Sequence, residues 1–509
     1  MTAFAVAICL HYGRLGILPL DNAIVFDGGW RILSGQRPFA DFTTPVAITP
    51  IVMQAVFFRI FGVSWFTYCL HAAAVNALFA WVAFATLRAV GAGFPAASAV
   101  GIASAVMFYP PVGVPYMDQH SFFFSLCCVL AAAHVIAGSR HARAATFWTP
   151  TLAVLAFLSK QIPALFIAGP ALLVVAIASY RNGKALFAAG LALPLLAVPV
   201  YMLSVHAPIG ETYYYLLALP SRAGTERTAV APRLLQLQKG AHRLPLLTWQ
   251  LSHLLWIGAV LAAVASRWLT HARQVNWRAL ALCLVAVSLA GATVAFLAFT
   301  NNDLVGALGL VPLIVGFIWV ALLSLMQPGS SRLRRGVATV VGAVLVVTAG
   351  IDLYAFNRDV NATRQMHTVF DWSLPQWSPG GRLAFMTLND RSHLFDVRDA
   401  LRYINSRSDN FLLWGDSTFL YGATNHPSVF PALWMHPGLT IPPAGTPEFR
   451  AFDRKIALRI RENDVTYILQ EGSRTRMDAN LDDFPRVSAL IAGCARATAG
   501  AWTIREICH

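Results

Sequence analysis

The chain has 509 residues, of which 57% are hydrophobic and 12% are charged, and its formal net charge is +14. A soluble domain has about 25% charged residues, so this composition excludes an ordinary water-soluble protein and predicts a polytopic membrane protein. The basic residues fall mostly in short loops between apolar segments. That pattern sets membrane topology, and it excludes nucleic acid as a partner.

Apolar segments near the length that a bilayer-crossing helix needs, roughly 17–25 residues, recur along the first two thirds of the chain. The opening segment, 1–19, is interrupted by His11 and Arg14 and lacks a signal-peptide cleavage site, so it is predicted to be a short first span. Whether Met1 is its natural start is left open. Further spans are predicted at 66–87, 94–112, 120–138, 144–159, 162–179, 184–204, 249–266, 277–299, 303–326 and 336–352. The fold class is therefore all-α, with about eleven transmembrane helices.

Residues 43–62 are also apolar, but they are not predicted to cross the membrane. Pro45, Pro50 and Arg59 favour a helix that lies at the membrane interface. If this stretch were a span, every later loop would change sides.

Basic residues give the orientation of the spans. They occupy alternate loops, which the positive-inside rule assigns to the cytoplasm. These residues are Arg88, Arg140, Arg143, Arg181, Lys184, Arg267, Arg273, Arg278, Arg332, Arg334 and Arg335. The extracytoplasmic side then carries a first loop with interfacial helices at 20–65, a second loop at 205–248, and the tail. The sequence thus predicts a multi-pass protein of the cytoplasmic (inner) membrane.

The tail, 353–509, is polar and predicts a small extracytoplasmic α/β domain after the transmembrane region, 1–352. Helix-like residues 396–407 precede β-like runs at 411–414 and 465–469. Cys494 and Cys508 lie in this tail, and we predict that they form a disulfide because the extracytoplasmic side is oxidising. The other five cysteines lie in apolar segments, and no cysteine pattern has zinc-site spacing.

Three acidic residues in the first loop, Asp21, Asp27 and Asp41, are candidates for function because burying charge near a membrane is costly. A carboxylate here could accept a proton from an acceptor hydroxyl. A solvated loop in which Asp21 caps a helix explains the same residues. Asp118 and His120 begin a later span, either as a second acid or metal ligand facing Asp21, or with Asp118 as an N-cap.

Lys160 and Gln161 lie between two spans on the side where the positive-inside rule does not call for a lysine. A lone ammonium at this position suits a lipid phosphate, although snorkelling to headgroups explains it as well. The second loop adds tyrosines at 213–215 and an interfacial-helix pattern at 233–247. That pattern fits either the grip of an anionic lipid head or simple contact with the membrane.

The order of these features resembles the GT-C superfamily, whose glycosyltransferases use polyprenyl-phosphate sugars. The resemblance is carried by the first-loop sequence DNAIVFDGGWRILSGQRPFADF (21–42) and by the following interfacial helix, which ends in IFGVS (60–64). The layout is similar to that of protein O-mannosyltransferases, aminoarabinose transferases and bacterial galacturonosyltransferase-like proteins. It covers most of residues 1–200, and only the first loop is specific as a motif.

The resemblance implies that Asp21 is the base that activates the acceptor for attack on the anomeric carbon, with Asp118 as a second catalytic acid. Lys160 falls where several relatives have a basic group near the lipid phosphate. Relatives often have Asp-Glu at the first site, whereas Asn22 follows Asp21 here, which counts against a two-carboxylate site for a divalent cation. The remaining substrate-binding candidates are Asp27, Arg31, Arg37, Asp41, His120 and Gln161, with Arg31 and Arg37 placed to neutralise the phosphate.

The implied partners are a polyprenyl-phosphate-sugar donor, membrane lipids, and a lipid, glycan or protein acceptor. Two other functions fit the layout: a transporter or flippase of lipid-linked sugars, and an inactive GT-C-like scaffold protein. Transporters tend to place ionisable residues near the bilayer midplane, whereas the acids here cluster in outer loops. Asn22 is the residue that keeps the scaffold interpretation open.

Overall fold

The computed structural model describes residues 1–13, 23–110, 112–180, 183–222, 281, 283–289, 291–292, 307–325, 397–471, 479–500 and 502–508. Within them the chain is mostly helical and ends in a small sheet. This agrees with the predicted class of a helical membrane protein with an α/β tail. Among the described helices, four are long and apolar enough to cross a membrane.

Helices account for most of the first 222 residues. They are α1 Thr2–Gly13, α2 Ile24–Leu33, α3 Ile48–Phe61, α4 Trp65–Ala89, α5 Phe94–Met107, α6 Met117–Ile136, α7 Ala142–Ser159, α8 Gln161–Ser179, α9 Lys184–Ser204 and α10 Ile209–Tyr213, followed by a π-helix, Tyr214–Ala218. The four candidate spans are α4, α6, α8 and α9, while α1, α3 and α5 are apolar but shorter.

The helix boundaries match the predicted spans from 66 to 204 within a few residues. Helix α11, Val311–Leu325, lies inside the predicted span 303–326. The predicted spans 249–266 and 336–352 lie outside the described residues, and so does most of 277–299. The total of about eleven helices therefore stays a prediction.

The first loop folds into a helical hairpin. Helix α2 ends where Gly35 takes a positive φ of 93°, a conformation that favours glycine. At 14 residues α3 is about 21 Å long, shorter than the hydrocarbon core of about 30 Å. Gly62, at φ 81°, ends α3, and the Ser64 hydroxyl caps α4 by accepting from the Thr67 N–H. The IFGVS sequence thus contains the last two residues of α3 and the turn that leads to α4.

Close packing of small residues holds the membrane helices together. Ala72, Ala83, Ala132 and Ala171 are fully buried in the bundle core. A side chain at Gly190 of α9 would collide with the backbone of α7. Because lipid gives helices no hydrophobic reason to associate, such close backbone approach is the expected source of stability.

The described part of the tail forms an α/β unit around a four-stranded sheet of order β1-β2-β4-β3. Strands β1 and β2 are parallel, and the other neighbours are antiparallel. Its elements are α12 Val397–Asn405, β1 Asn410–Trp414, α13 Phe419–Ala423, α14 Pro447–Glu462, β2 Val465–Gln470, α15 Pro485–Ile491, β3 Arg496–Ala499 and β4 Trp502–Glu506. The predicted helix and both predicted strands are confirmed.

A disulfide joins Cys494 and Cys508 across the ends of the β3–β4 hairpin, which confirms the predicted pairing. The predicted start of the domain, residue 353, lies outside the described residues. The domain does not stand apart from the rest of the chain. Phe26 of α2 and Tyr68 of α4 share one buried cluster with Phe419 and Leu420.

Candidate functional site

The first loop contacts the C-terminal domain through a buried ion pair whose two residues both lie on α2. Asp27 and Arg31 are one turn apart on α2 and fully buried, with Arg31 Nε 2.8 Å from Asp27 Oδ2. The Ser428 hydroxyl donates to Asp27 Oδ1 (2.5 Å), and Arg31 Nη1 donates to the Phe430 carbonyl (2.7 Å). Both residues were predicted to bind substrate. The structure places them at this interface, and substrate contact stays a prediction.

Backbone contacts extend the same interface. The Thr43 N–H donates to the Pro431 carbonyl (2.9 Å), and the Leu433 N–H donates to the Thr43 carbonyl (3.0 Å). The Trp30 indole donates to the His426 carbonyl (2.9 Å). Since the partners are about 400 residues apart in sequence, no local pattern indicates that they meet.

A second pair, Arg37 and Asp41, lies at the exposed edge of the loop, with Nε 3.0 Å from Oδ2. Partial burial opposes ionisation of Asp41, but hydrogen bonds from Arg37 outweigh it and lower the pKa of that carboxyl. Arg459 of α14 donates to the Asp41 carbonyl. Burial, reinforced by the charge of Arg31, lowers the pKa of Arg459 to about 10. Arg459 is a basic group near the first loop that the sequence analysis did not single out.

The second predicted acid, Asp118, pairs with the predicted lysine, Lys160. The Lys160 Nζ lies 2.7 and 2.9 Å from the two carboxylate oxygens. The side chains are 1% and 14% exposed, so solvent screens their attraction little. Asp118 stands in the first turn of α6, where the helix dipole favours a negative charge.

A single non-helical residue puts Lys160 in this position. Helix α7 ends at Ser159 and α8 begins at Gln161, while Lys160 is extended between them (φ −160°, ψ 128°). Pro163 fits the first turn of α8, where its missing N–H has no helical partner to lose. This one-residue break therefore places Lys160 between two apolar helices.

The first loop docks on this break. The Gln161 side chain donates to the Pro45 carbonyl (2.5 Å), and the Ala47 N–H donates to the Ser159 carbonyl (2.9 Å). On the other side, the Ser121 hydroxyl donates to the Lys160 carbonyl (2.9 Å). The structure thus brings together Asp118, Lys160, Gln161 and the loop segment 43–47. We call this group the junction site.

Two other residues near the start of α6 complete the description. His120 is fully buried, and its ring nitrogens face His71, Tyr109 and the Tyr116 carbonyl, not Lys160. Gln119 is fully buried, and neither polar atom of its amide has a hydrogen-bond partner in the described part of the chain. Sequence reasoning did not single out Gln119, although its place beside Asp118 was a signal.

Asp21, the predicted base, lies outside the described residues, between Gly13 at the end of α1 and Ala23 before α2. Among the residues that the structure does describe, no three His, Cys, Asp or Glu side chains gather as metal ligands would. The Asp118 carboxylate instead faces an ammonium.

No family model and no curated protein sequence matches this chain. Among solved structures, the chain is similar to ArnT from Cupriavidus metallidurans bound to undecaprenyl phosphate. The TM-score is 0.53 and the identity 13%, over 99% of this chain and 96% of that chain. At this identity the likeness shows a shared fold.

Two structures of the Archaeoglobus fulgidus oligosaccharyltransferase are less similar, each at 10% identity. The complex with Zn and sulfate has a TM-score of 0.42, over 92% of this chain and 68% of that chain. The form tethered to an acceptor peptide has a TM-score of 0.41, over 99% of this chain and 73% of that chain. Both scores lie below one half, so we take the shared fold from ArnT alone.

Proposed function

From the GT-C fold that the chain shares with ArnT, we propose that it is a membrane glycosyltransferase. It would move a sugar from a polyprenyl-phosphate donor to an extracytoplasmic lipid, glycan or protein acceptor. The observation that carries the proposal is the shielded Asp118–Lys160 pair at the junction site. A cation held at the break between two apolar helices suits a phosphate whose lipid tail stays in the bilayer.

Lys160 has the donors to serve such a phosphate. An ammonium has three N–H donors, and Asp118 faces it with two oxygens. Asp118 would orient the ammonium through the hydrogen bond to Oδ2, and the other donors would bind phosphate oxygens. Arg37, exposed at the edge of the first loop, is a second cation that would neutralise the negative charge of the phosphate.

The proposed reaction is a displacement at the anomeric carbon. The acceptor oxygen forms a bond to that carbon while the bond from the carbon to the phosphate oxygen breaks. The electron pair leaves with the polyprenyl phosphate, whose added charge Lys160 stabilises. The acceptor proton passes to the Asp21 carboxylate, which acts as general base.

Gln119 is our candidate for holding the donor sugar. Its buried amide has no partner in the described part of the chain, and an unsatisfied amide costs about 1–3 kcal/mol. A sugar hydroxyl both donates and accepts, so it would satisfy the amide. Gln119 follows Asp118 directly in the first turn of α6.

The proposed side of the membrane is supported by the positions of the charges. Arg88 lies in the last turn of α4, Arg140 follows the C-terminal end of α6, and Lys184 begins α9 just after the C-terminal end of α8. The junction site lies at the N-terminal ends of α6 and α8, the opposite ends. If these basic helix ends are cytoplasmic, the junction site faces the extracytoplasmic space. The disulfide suits that oxidising side.

Native mass spectrometry of the full chain tests the proposal, using polyprenyl phosphates with and without a sugar. The wild type should retain the sugar-charged lipid and slowly release the sugar, while Asp21→Asn should retain the lipid and release none. Lys160→Ala should weaken retention by about 10- to 150-fold, as expected for a charge-assisted bond of about 1.5–3 kcal/mol. Lys184→Ala, at the opposite helix end, is the matched control.

Equal turnover in Asp21→Asn would contradict its role as the base. A preference for the sugar-charged lipid with no sugar loss in any acceptor mixture would favour a transporter or an inactive scaffold. Equal retention of polyprenyl phosphates and ordinary phospholipids would reject the donor class.

A further inference from the structure

Two histidines that the proposed chemistry does not use face each other inside the helix bundle. His71 of α4 and His120 of α6 are fully buried, with their Nε2 atoms 3.0 Å apart. His71 Nδ1 lies 2.9 Å from Gln54 Oε1 on α3, and His120 Nδ1 lies 2.7 Å from the Tyr109 hydroxyl. We call these four residues the histidine chain.

The hydrogen bond between the two Nε2 atoms contains one proton, so the tautomer of one ring determines the tautomer of the other. If His71 donates to Gln54 Oε1, then His120 Nε2–H donates to His71 and His120 Nδ1 accepts from Tyr109. If His120 Nδ1–H instead donates to the Tyr116 carbonyl, 2.9 Å away, the direction reverses and the Gln54 amide turns over. In both arrangements, the hydrogen bond to the other histidine fixes the tautomer of each ring.

The histidine chain connects the elements that form the junction site. At one end, Gln54 lies on α3, directly after the segment 43–47 that docks on the α7–α8 break. At the other end, His120 is in the same helical turn as Asp118. His71, stacked on Phe57 of α3 with ring centroids 4.7 Å apart, lies between them.

We propose that the histidine chain positions α3 and its docked loop against the first turn of α6, so that the Asp118–Lys160 pair meets the first loop in the geometry for transfer. His71 and His120 are positioning residues in this proposal, which rests on the proposed function. Buried hydrogen bonds are directional and costly to leave unmade, so the histidine chain resists sliding of α3 over α4 and α6.

The test compares His120→Phe with His120→Gln in the full-length protein. Phenylalanine keeps the bulk and breaks the bond to His71. Glutamine places an amide at the position of Nε2 and can either donate or accept. A misplacement of about 1 Å can reduce a rate by about 100-fold. We therefore expect His120→Phe to slow turnover at saturating donor by about 10- to 100-fold, with donor affinity within about twofold of wild type.

His120→Gln should recover most of the turnover. The proposal is overturned if the phenylalanine variant turns over normally. It is also overturned if both variants are equally slow while their thermal unfolding matches the wild type.

A second measurement needs no activity. Spin labels at Val56 of α3 and Leu78 of α4, both exposed, report how firmly α3 is held, in a background without the five free cysteines. The distance distribution should broaden in His120→Phe and stay narrow in His120→Gln. An unchanged distance distribution in His120→Phe would contradict the positioning role. If instead the wild type transfers no sugar but the distributions differ as expected, the proposed function fails and the structural role stands.

Discussion

Gly28 and Gly29 of α2 determine how closely α2 can pack against α3 in the first-loop hairpin. Gly29 faces α3 so tightly that a Cβ would lie 2.6 Å from Gln54 Cγ and 2.8 Å from Gln54 Cβ. Ordinary Cβ contacts lie at 3.4–4 Å. Gly29→Ala therefore requires α2 and α3 to separate by roughly 1 Å, or Gln54 to leave its place against His71.

Both responses have an expected magnitude. Overpacking of this kind costs about 1–3 kcal/mol, which corresponds to about 5- to 150-fold more frequent local opening. Gly169, in the middle of α8, is the matched control because a Cβ there meets nothing within 4 Å. Gly169→Ala should be neutral or stabilise by up to about 1 kcal/mol through helix propensity.

Hydrogen exchange of the purified protein, read at backbone amides of α2 and α3, measures the opening directly. Faster exchange confined to this hairpin in Gly29→Ala, with none in Gly169→Ala, would agree with the packing. Turnover should fall in the same variant, because the hairpin carries the docked loop. Exchange in Gly29→Ala as slow as in the wild type would show that the close contact is not a constraint.

Three further predictions concern Asp41, the Cys494–Cys508 disulfide and Gln119. Arg37 holds the pKa of Asp41 below its ordinary 3.8. The ionised Asp41 carboxylate therefore contributes fully to stability above pH 3.8, and this contribution is lost as the pH falls through the lower folded pKa. Unfolding midpoints measured between about pH 5 and about pH 2 should show this slope, and Asp41→Asn should flatten it. Replacing Cys494 and Cys508 by alanine should remove about 3 kcal/mol of local stability, seen as faster exchange in the β3–β4 hairpin but not in the bundle. Gln119→Leu should raise the unfolding midpoint of the lipid-free protein while weakening retention of the sugar-charged donor about tenfold, and no loss of retention would count against its contact with the sugar.

Hydropathy predicted the helices of residues 65–204 because a membrane span is a local property of about 20 consecutive residues. The prediction that residues 43–62 lie at the membrane interface rests on Pro45, Pro50 and Arg59, again a local signal. Strands β1 and β2 followed from short apolar runs with turns. In each case the information lies within the segment itself.

The contacts between segments were less accessible. Asp118 and Lys160 were both singled out, but their pairing depends on how α6 packs against α7 and α8. Asp27 and Arg31 are four residues apart, a spacing that suggests a pair on one helix, yet their burial depends on residues 428–430. The His71–His120 contact gave no sequence signal, because one histidine in an apolar helix does not reveal its partner.

The interface between α2 and the C-terminal domain has a consequence for how the protein is made. Asp27 meets Ser428 across 401 residues of chain. At about 5–20 residues per second, a ribosome needs roughly 20–80 s to travel that distance. During this time Arg31 lacks the Phe430 carbonyl to which it donates in the folded protein. The membrane helices can therefore insert in order as they emerge, whereas the first loop reaches its final form only after the tail arrives. Maturation of the junction site is thus a late event, separate in time from insertion.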